Sequence, residues 1–258
     1  MNQSETNYKS WSNWYDLIYE IISPNDINFY ETYINKNVKR VLEMGVGTGR
    51  IPNSFLHKNL KWTGVDISED MLNVCKEKIK PKQPLSENLL LIQEDMTKID
   101  IKVDNNSIYN LLFDLVIYPS HSLMSVGNIE LQKKALCSGI KHLDKNGILI
   151  FDLHNPNNYV NNKEYMVFGE KEINSSLHKL YGKSSVDFDK KKHINYQKIE
   201  INSINKIELK SVDYFLYFED IINICDELNI EIIDFFGDYD KSVLNEDSEE
   251  IILVCKKK

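Results

Sequence analysis

The chain has 258 residues, of which 42% are hydrophobic and 27% charged, so it can bury a sizeable core as one large domain or one domain with an insertion. The formal net charge is -8, and basic residues cluster only at 189–193 and 256–258, which argues against nucleic acid as a partner and favours a small molecule. No uninterrupted apolar run approaches the about 20 residues that a membrane helix needs.

The N-terminal sequence and the cysteines indicate a cytoplasmic protein. The first residues, MNQSETNYKS, lack the basic and then apolar order of a secretory signal. The cysteines stand far apart in sequence and form no CxxC pair, which argues against both a zinc site and a disulfide framework. We therefore expect a soluble protein in a reducing compartment.

Short apolar runs alternate with amphipathic segments through the first 153 residues. The runs that indicate buried strands are RVLEMGV (40–46), KWTGVDI (61–67), LLLIQED (89–95), FDLVIYP (113–119) and GILIFDL (147–153). One capped helix is predicted from Ser68 onward, and another over NIELQKKALCSGIKHL, which DKNG closes. This alternation predicts a parallel sheet that is covered by helices on both faces.

The pattern changes from about residue 163. KSSVDFDKKKHINYQKIEI and KIELKSVDYFLY are typical of antiparallel strands, so we interpret this region as an insertion. The earlier pattern then resumes, with EDIINICDELN as a helix and IEIIDFFG and EEIILVCKK as strands.

The stretch VLEMGVGTGR (41–50) places three glycines directly after the first predicted strand. In a sheet of this kind, ligands bind at the carboxyl ends of the strands. Gly45 permits a sharp exit, Gly47 lets a ligand lie against bare backbone, and Gly49 lets the next helix pack closely. A tight turn without a ligand is the alternative, but GVDIS ends the second strand with Asp66, which can accept both hydroxyl hydrogens of a ribose.

The chemistry of these turns favours a cationic nucleoside over a dinucleotide. A dinucleotide fingerprint is GxGxxG, whereas the spacing here is GxGxG and Glu43 precedes it. This carboxylate would repel a pyrophosphate and suit a cation. After the third strand, Asp95 can accept from the exocyclic amine of an adenine while the Met96 amide donates to the ring. Adenosine combined with a cation indicates S-adenosylmethionine.

These motifs resemble, in order and spacing, those of the class I S-adenosylmethionine-dependent methyltransferases. VLEMGVGTG, GVDIS, QEDM, FDLVIYPSHSL and LDKNGILIFDLHNP carry the resemblance over residues 40–156. WYDLIYE (14–20) is similar to the N-terminal tyrosine motif of small-molecule members, including the aminosugar N-methyltransferases and the glycine/sarcosine methyltransferase types. The C-terminal GDYDKSVLNEDSEEIILVCKK resembles their last hairpin.

The resemblance implies a fold and a division of the chain. The fold is α/β, a Rossmann-like seven-stranded, mostly parallel sheet with helices on both faces and an antiparallel last strand. An inserted antiparallel β platform roofs the acceptor site in several members. We therefore expect a cofactor-binding core with an N-terminal helical segment at 1–162, the insertion at 163–217, and a final helix and hairpin at 218–258.

The resemblance also assigns cofactor contacts residue by residue. Glu43, Gly45, Gly47 and Gly49 match positions around the methionine moiety, and Asp66 matches the acid that binds the ribose. Ile67 and Met71 match residues that flank the adenine, and Asp95 and Met96 match residues at its edge. Tyr118 matches the position next to the methionyl amine and the sulfonium.

Three further positions stay open between two roles. Tyr15 and Tyr19 match aromatic residues that close over the cofactor, but an amphipathic helix that buries Trp11, Trp14, Tyr15 and Ile18 as ordinary core explains them equally well. Arg50, where smaller residues are common, could hold a carboxylate or cap a helix face.

Methyl transfer from a sulfonium mainly requires alignment and exclusion of water, so a catalytic base is optional. His121 and His154 are the candidate bases, because both follow strand ends that face the predicted crevice. Each could instead hold only a loop backbone. The other four histidines, at 57, 142, 178 and 193, are expected at the surface, and no metal-binding pattern is evident.

The predicted function is transfer of a methyl group to N or O of a small polar metabolite, with a sugar or sugar-nucleotide as the leading acceptor. O-methylation of an anionic, phosphorylated intermediate of surface-polysaccharide biosynthesis is the first alternative. tRNA modification and a non-catalytic scaffold that binds the cofactor are weaker ones. No membrane partner is expected, and the insertion offers a surface for a homodimer.

Overall fold

The computed structural model describes residues 6–58, 60–80, 88–102 and 111–258. Its helices are α1 (Tyr8–Trp11), α2 (Tyr15–Ile22), α3 (Asp26–Tyr33), α4 (Arg50–Phe55), α5 (Glu69–Ile79), α6 (Ile129–His142) and α7 (Phe218–Glu227). Its strands are β1 (Arg40–Met44), β2 (Lys61–Asp66), β3 (Leu89–Gln93), β4 (Phe113–Tyr118), β5 (Leu143–His154), β6 (Asn162–Ile173), β7 (Ser176–Asp187), β8 (Lys192–Ile201), β9 (Ile204–Tyr214), β10 (Ile230–Phe236) and β11 (Glu250–Lys257).

The main sheet, within the described residues, has seven strands in the order β10-β11-β5-β4-β1-β2-β3. The five strands from β5 to β3 run parallel, and β11 pairs antiparallel with both β10 and β5. The chain order reverses beside β1, where β4 lies on one side and β2 on the other. This sheet confirms the predicted Rossmann-like fold with its antiparallel last strand.

The central strands are buried on both faces, which explains their continuous apolar runs. In β1, Val41 belongs to the core that α3 and α4 cover, whereas its neighbour Leu42 belongs to the core on the opposite face. The side chains of Ser68 and Asn128 accept hydrogen bonds from backbone amides in the first turns of α5 and α6. These two residues therefore cap the two helices that the sequence predicts there.

The prediction that DKNG closes the second of these helices as a turn is wrong. α6 ends at His142, and β5 begins at the next residue and runs through DKNG. Leu143 is fully buried and pairs with Phe113, so packing draws the chain into the sheet directly after the helix. Tertiary burial outweighs the turn-forming tendency of Asp, Asn and Gly here.

Residues 162–214 form a second sheet of four antiparallel strands, in the order β6-β7-β8-β9, which we call the platform. The N-terminal helices join it to the main domain through one apolar cluster, whose buried members are Trp11, Ile18, Ile21, Met71, Leu180, Ile199 and Leu209. The indole nitrogen of Trp11 also donates to the carbonyl of Lys210 at 3.1 Å. The platform is thereby held above the carboxyl ends of the parallel strands.

None of the helices in the described part of the chain has the length and apolar character needed to cross a membrane. All four cysteines are free thiols.

Candidate active site

A cavity of about 610 Å³ lies between the carboxyl ends of the parallel strands and the platform. Its walls come from the turns after β1, β2, β3, β4 and β5, from α1 and α2, and from one face of the platform. The structure brings the following sequence-predicted site residues to its lining: Tyr15, Tyr19, Gly45, Gly47, Asp66, Ile67, Met71, Asp95, Met96, His121 and His154. The remaining four, Glu43, Gly49, Arg50 and Tyr118, lie behind this lining.

The three positions in the turn after β1 require glycine for different structural reasons. Gly45, Gly47 and Gly49 adopt φ angles of 84°, 53° and 75°, which residues other than glycine rarely adopt. A Cβ on Gly45 would lie 2.6 Å from the Cβ of Ser122, and one on Gly49 would overlap the Sγ of Cys75. A Cβ on Gly47 would meet nothing within 4 Å. The backbone at Gly47 is therefore bare toward the cavity, whereas the other two glycines allow close packing.

Asp66, at the end of β2, links the first two turns. Its Oδ2 accepts from the amide of Gly47 and its Oδ1 from the amide of Ser68, both at 2.8 Å. Burial raises the pKa of this carboxyl to about 6, although the backbone hydrogen bonds lower it. Each oxygen has further acceptor capacity toward the cavity. The geometry suits a ligand that presents two hydroxyl donors.

Asp95 and Met96 line the cavity beyond β3, beside the exposed side chain of Ile67. Oδ1 of Asp95 accepts from both the amide and the hydroxyl of Thr97, and Oδ2 forms an ion pair with Lys98. Burial opposes ionisation, but these contacts prevail and lower the pKa of Asp95. Asp95 is thus held as a carboxylate at this edge of the cavity.

The two interpretations of the N-terminal helix, as a source of tyrosines at the ligand site and as ordinary core, each describe part of the structure. Ile18 is buried in the apolar cluster, while Tyr15 and Tyr19 lie half-buried against the cavity with ring centroids 4.6 Å apart. Arg50 lies 4.2 Å from the ring centroid of Tyr19 and forms a two-pronged ion pair with the buried Asp26. Arg50 therefore connects α2, through Tyr19, with α3, through Asp26.

Two of the residues behind the lining depart clearly from the predicted contacts. Glu43 is buried beneath the first turn and accepts from Trp62 Nε1 at 2.8 Å. Burial raises the pKa of Glu43 well above its usual range. Tyr118 is also fully buried, and its hydroxyl donates to the carbonyl of Ala135 in α6. β4 directs this tyrosine into the helix-covered core, away from the cavity.

The loop after β4 is held in a strained conformation by one buried carboxylate. Ser120 and His121 have φ angles of 55° and 59°, in the left-handed region. Asp152, in β5, accepts from both of their amides, at 3.2 and 2.6 Å, and from the hydroxyl of Tyr30. Such strain persists where the surroundings over-determine it, typically at functional sites. Asp152 thereby fixes the direction of His121.

His121 meets His154 and Glu250 at the cavity wall. The two imidazole rings are stacked with centroids 3.5 Å apart, and Glu250 lies opposite His154 in the β5–β11 ladder. Oε2 of Glu250 is 2.7 Å from Nε2 of His121, and Oε1 is 3.6 Å from Nδ1 of His154. Burial alone would lower the pKa of His121, but the neighbouring Glu250 carboxylate raises it to about 9. Burial likewise opposes ionisation of Glu250, but both histidines lower its pKa to about 2.

The expectation that the other four histidines lie at the surface is correct for His57 and wrong for His142, His178 and His193, which are buried. His193, in β8, stacks on Tyr159 and lines the cavity. Burial lowers its pKa to about 4, so this imidazole is neutral at physiological pH. Alternation along β8 places every second residue on the same platform face, which is the signal that could have identified it.

Several polar groups on the platform side of the cavity have no counterpart in the sequence motifs. Asp213 of β9 lines the cavity, accepts from Asn195 and has its pKa raised by burial. The hydroxyl of Tyr159 and Oε1 of Gln197 are buried and make no hydrogen bond within the described part of the chain. Buried polar atoms of this kind normally have a protein, water or ligand partner.

Carboxylates predominate in the lining, and His121, whose pKa is raised, is the cationic exception. The acidic members of the lining are Asp66, Glu94, Asp95, Asp213 and Glu249. Among the described residues that line the cavity there is no lysine or arginine. Carboxylates in a low-dielectric cleft attract cations and repel anions.

Comparisons with known proteins agree with this geometry. Residues 41–147 match the family model of a methyltransferase domain. The protein YqeM of Bacillus subtilis, named a methyltransferase only provisionally, is 27% identical over 150 residues, which are 57% of this chain and 55% of the relative. The chain spans about half the length of the curated relatives it matches.

Solved structures share the fold over nearly the whole chain. The CcbJ methyltransferase from Streptomyces caelestis has a TM-score of 0.82 at 16% identity and covers 99% of both chains. CalS10 from Micromonospora echinaspora, described as an amino pentose methyltransferase with bound cofactor, has a TM-score of 0.71 at 13% identity and covers 95% of this chain and 96% of its own. At these identities the likeness is one of fold.

Proposed function

We propose that the protein methylates an amine of a small polar metabolite with S-adenosylmethionine as donor, a proposal that the match of residues 41–147 to a methyltransferase domain supports. The acidic lining of the cavity carries this proposal, because it suits two cationic or amine-bearing ligands side by side.

The residues of the first three turns fit the donor. Asp66 can accept the two ribose hydroxyls, and the open space over Gly47 leaves room for the methionine moiety against bare backbone. Ile67 and Met71 offer apolar surface to the adenine, and Asp95 lies at its edge. When bound, S-adenosylmethionine supplies a methyl group on a sulfonium, which a neutral amine can take without a strong base.

Glu43 and Tyr118 take indirect roles in this proposal. The buried Glu43 supports the turn from below through Trp62, and Tyr118 anchors β4 to α6. Gly49 and Arg50 likewise position the turn and α2 rather than touch the donor. Tyr15 and Tyr19 close the cavity and exclude water from the transfer.

The platform supplies the acceptor side. Asp213 can accept a hydrogen bond from an N–H of a neutral amine, and the unpartnered atoms of Tyr159 and Gln197 suit hydroxyl groups of the same molecule. An amino sugar has both kinds of group, and an amino pentose is the acceptor class by which the CalS10 neighbour is described. A phosphorylated acceptor would place its charge among carboxylates, so we rank it below the amine.

His121 and His154 act at the acceptor as positioning and hydrogen-bonding groups. Glu250 already engages Nε2 of His121, so that nitrogen is not free to remove a proton from a hydroxyl. An amine makes no such demand, because its lone pair attacks directly and its surplus proton can leave afterward to water. His121→Ala should therefore mainly weaken acceptor binding and change turnover little at saturating acceptor.

The proposal includes a cytoplasmic location, which the four free thiols suit. It includes the division at residues 162 and 217 into core, platform and C-terminal part. A homodimer through the platform is a separate expectation, to be tested by light scattering of the purified chain.

The test is a methylation assay with matched acceptors. S-adenosylmethionine is offered with an amino sugar, with the same sugar carrying a hydroxyl in place of the amine, and with its phosphate ester, and products are identified by mass spectrometry. We expect one added methyl group on the amine and at least about tenfold less on the other two. Methylation of the phosphate ester alone would contradict the assignment of the acceptor.

A further inference from the structure

The cluster of His121, His154 and Glu250 has the composition of a metal site. One potential ligand atom from each lies within 4.8 Å of the other two. Two histidines and one glutamate are a ligand set of catalytic zinc sites, in which a fourth position is left to water or substrate. We propose that these three residues bind a divalent transition metal of the zinc class at the wall of the cavity.

The spacing of the ligand atoms fits such an ion after small movements. Zinc binds imidazole nitrogen and carboxylate oxygen at about 2.0–2.2 Å, which places adjacent ligands of a tetrahedral site about 3.3 Å apart. Nε2 of His121 is 2.7 Å from Oε2 of Glu250, and Nδ1 of His154 is 3.6 Å from Oε1, so both separations are near that value but involve different carboxylate oxygens. The imidazole rings are stacked 25° from parallel, so one ring must rotate to bring both nitrogens to a shared ion.

The ligands are positioned by rigid elements rather than by loose loops. Glu250 and His154 are paired residues of neighbouring strands, and the amide of Glu250 donates to the carbonyl of Gly237. His121 is held through its backbone by Asp152. Supports of this kind orient metal ligands and strengthen binding. The backbone is therefore preorganised for coordination, and only the side chains need to adjust.

The open side of the cluster faces the cavity, because His121 and His154 both line it. A bound ion would keep its remaining positions toward the acceptor region. This site does not depend on the proposed reaction, since metal binding is measured without donor or acceptor. The competing explanation is a metal-free ion pair between His121 and Glu250, which the same experiment distinguishes.

The experiment uses the full chain after treatment with a chelator and dialysis. Zn²⁺ binding is measured by calorimetry, and Co²⁺ is used as a spectroscopic probe. We expect one equivalent to bind, with a visible Co²⁺ spectrum of nitrogen and oxygen ligation and no thiolate charge-transfer band. His154→Ala and Glu250→Gln should each weaken Zn²⁺ binding by at least tenfold, while His57→Ala, which removes an exposed histidine elsewhere, should leave it unchanged.

His154 is the safest variant, because its side chain is 37% exposed and its loss should spare the fold. Circular dichroism melting of each variant verifies this. Absence of stoichiometric uptake would overturn the proposal in favour of the ion pair alone. Uptake that His154→Ala leaves intact, or a spectrum with thiolate bands, would place the metal elsewhere and overturn it as well.

Discussion

The two sides of the cavity are constructed differently. The donor side consists of the turns after β1, β2 and β3, where backbone conformation and a few carboxylates at strand ends define the contacts. The acceptor side combines residues from β5, β8, β9 and β11, which lie far apart in the sequence and meet through side chains. The donor side of the cavity thus depends on backbone geometry, whereas the acceptor side depends on the placement of side chains.

This difference has a functional consequence. Backbone turns change with difficulty, because their glycines are required by φ angles and by close packing. Side chains on an antiparallel sheet can be exchanged without altering the strands that carry them. A fold of this type can therefore keep the turns at its strand ends while the side chains of the platform vary.

The largest effect is expected at the donor side, from Asp66→Ala. Loss of charged hydrogen bonds to two ribose hydroxyls costs about 1.5–3 kcal/mol each, or on the order of tenfold or more in affinity per bond. S-adenosylhomocysteine binding, measured by calorimetry, should weaken about 100-fold or more. Glu69→Ala, which removes an exposed acid three residues away, should change little. Equal affinity of a folded Asp66→Ala protein would mean that the ribose binds elsewhere.

A matched pair of substitutions can separate the packing role of Gly45 from the ligand-facing role of Gly47 in the turn after β1. Gly45→Ala and Gly47→Ala both place a side chain at positive φ, at a cost of about 1–2 kcal/mol. Gly45→Ala also drives a Cβ into Ser122, so its total loss of unfolding free energy should reach about 3 kcal/mol in urea denaturation. Gly47→Ala should lose only about 1–2 kcal/mol of unfolding free energy. It should nevertheless weaken S-adenosylhomocysteine binding, because its methyl group enters the cavity. Equal stability of the two variants would show that contact with Ser122 is unimportant.

On the acceptor side, Asp213→Asn should raise the KM for an amine acceptor about tenfold, because a half-buried carboxylate is lost near the amine. Affinity for S-adenosylhomocysteine should equal that of the wild type within experimental error, since Asp213 lies on the acceptor side of the cavity and not on the donor side. Glu249→Gln is the control, because this carboxylate is exposed and screened by water. An equal effect of the two substitutions would point to general electrostatics rather than to a local contact.

The smallest expected effect is the pH dependence of donor binding. Asp66 accepts ribose hydroxyls best as a carboxylate, and its pKa is raised to about 6. Affinity for S-adenosylhomocysteine should therefore be constant above pH 7, fall about twofold from pH 7 to 6, and fall about fivefold from pH 6 to 5. Asp66→Asn should flatten this profile. A midpoint below pH 5 in the wild type would mean that the carboxyl is less desolvated than its position indicates.

Much of the donor side could be predicted from the sequence, because its contacts come from contiguous motifs. The turn glycines and Asp66 stand at fixed distances from the ends of apolar runs, and strand ends meet at one edge of a parallel sheet. Tyr118 and Glu43 show the limit of this reasoning. Both belong to matching motifs, but the direction of their side chains depends on how β1 and β4 pack against Trp62 and α6.

The acceptor side was harder to predict, since no short motif brings its residues together. Glu250 reaches His121 only because β11 inserts beside β5, a pairing between residues about a hundred positions apart in sequence. His193 and Asp213 follow the alternation of the platform strands, but the sequence does not indicate which face meets the cavity. His142 is buried and its ring makes a hydrogen bond with the carbonyl of Leu111, a contact that helix periodicity alone does not show.

The most direct test of the account is a crystal structure of the protein with S-adenosylhomocysteine. We expect the ribose hydroxyls within hydrogen-bonding distance of Asp66, the homocysteine moiety over Gly47, and the sulfur directed at the space between Tyr15, His121 and Asp213. That arrangement would join the two sides of the cavity into one active site. A ribose bound away from Asp66, or a sulfur directed away from the platform, would contradict it.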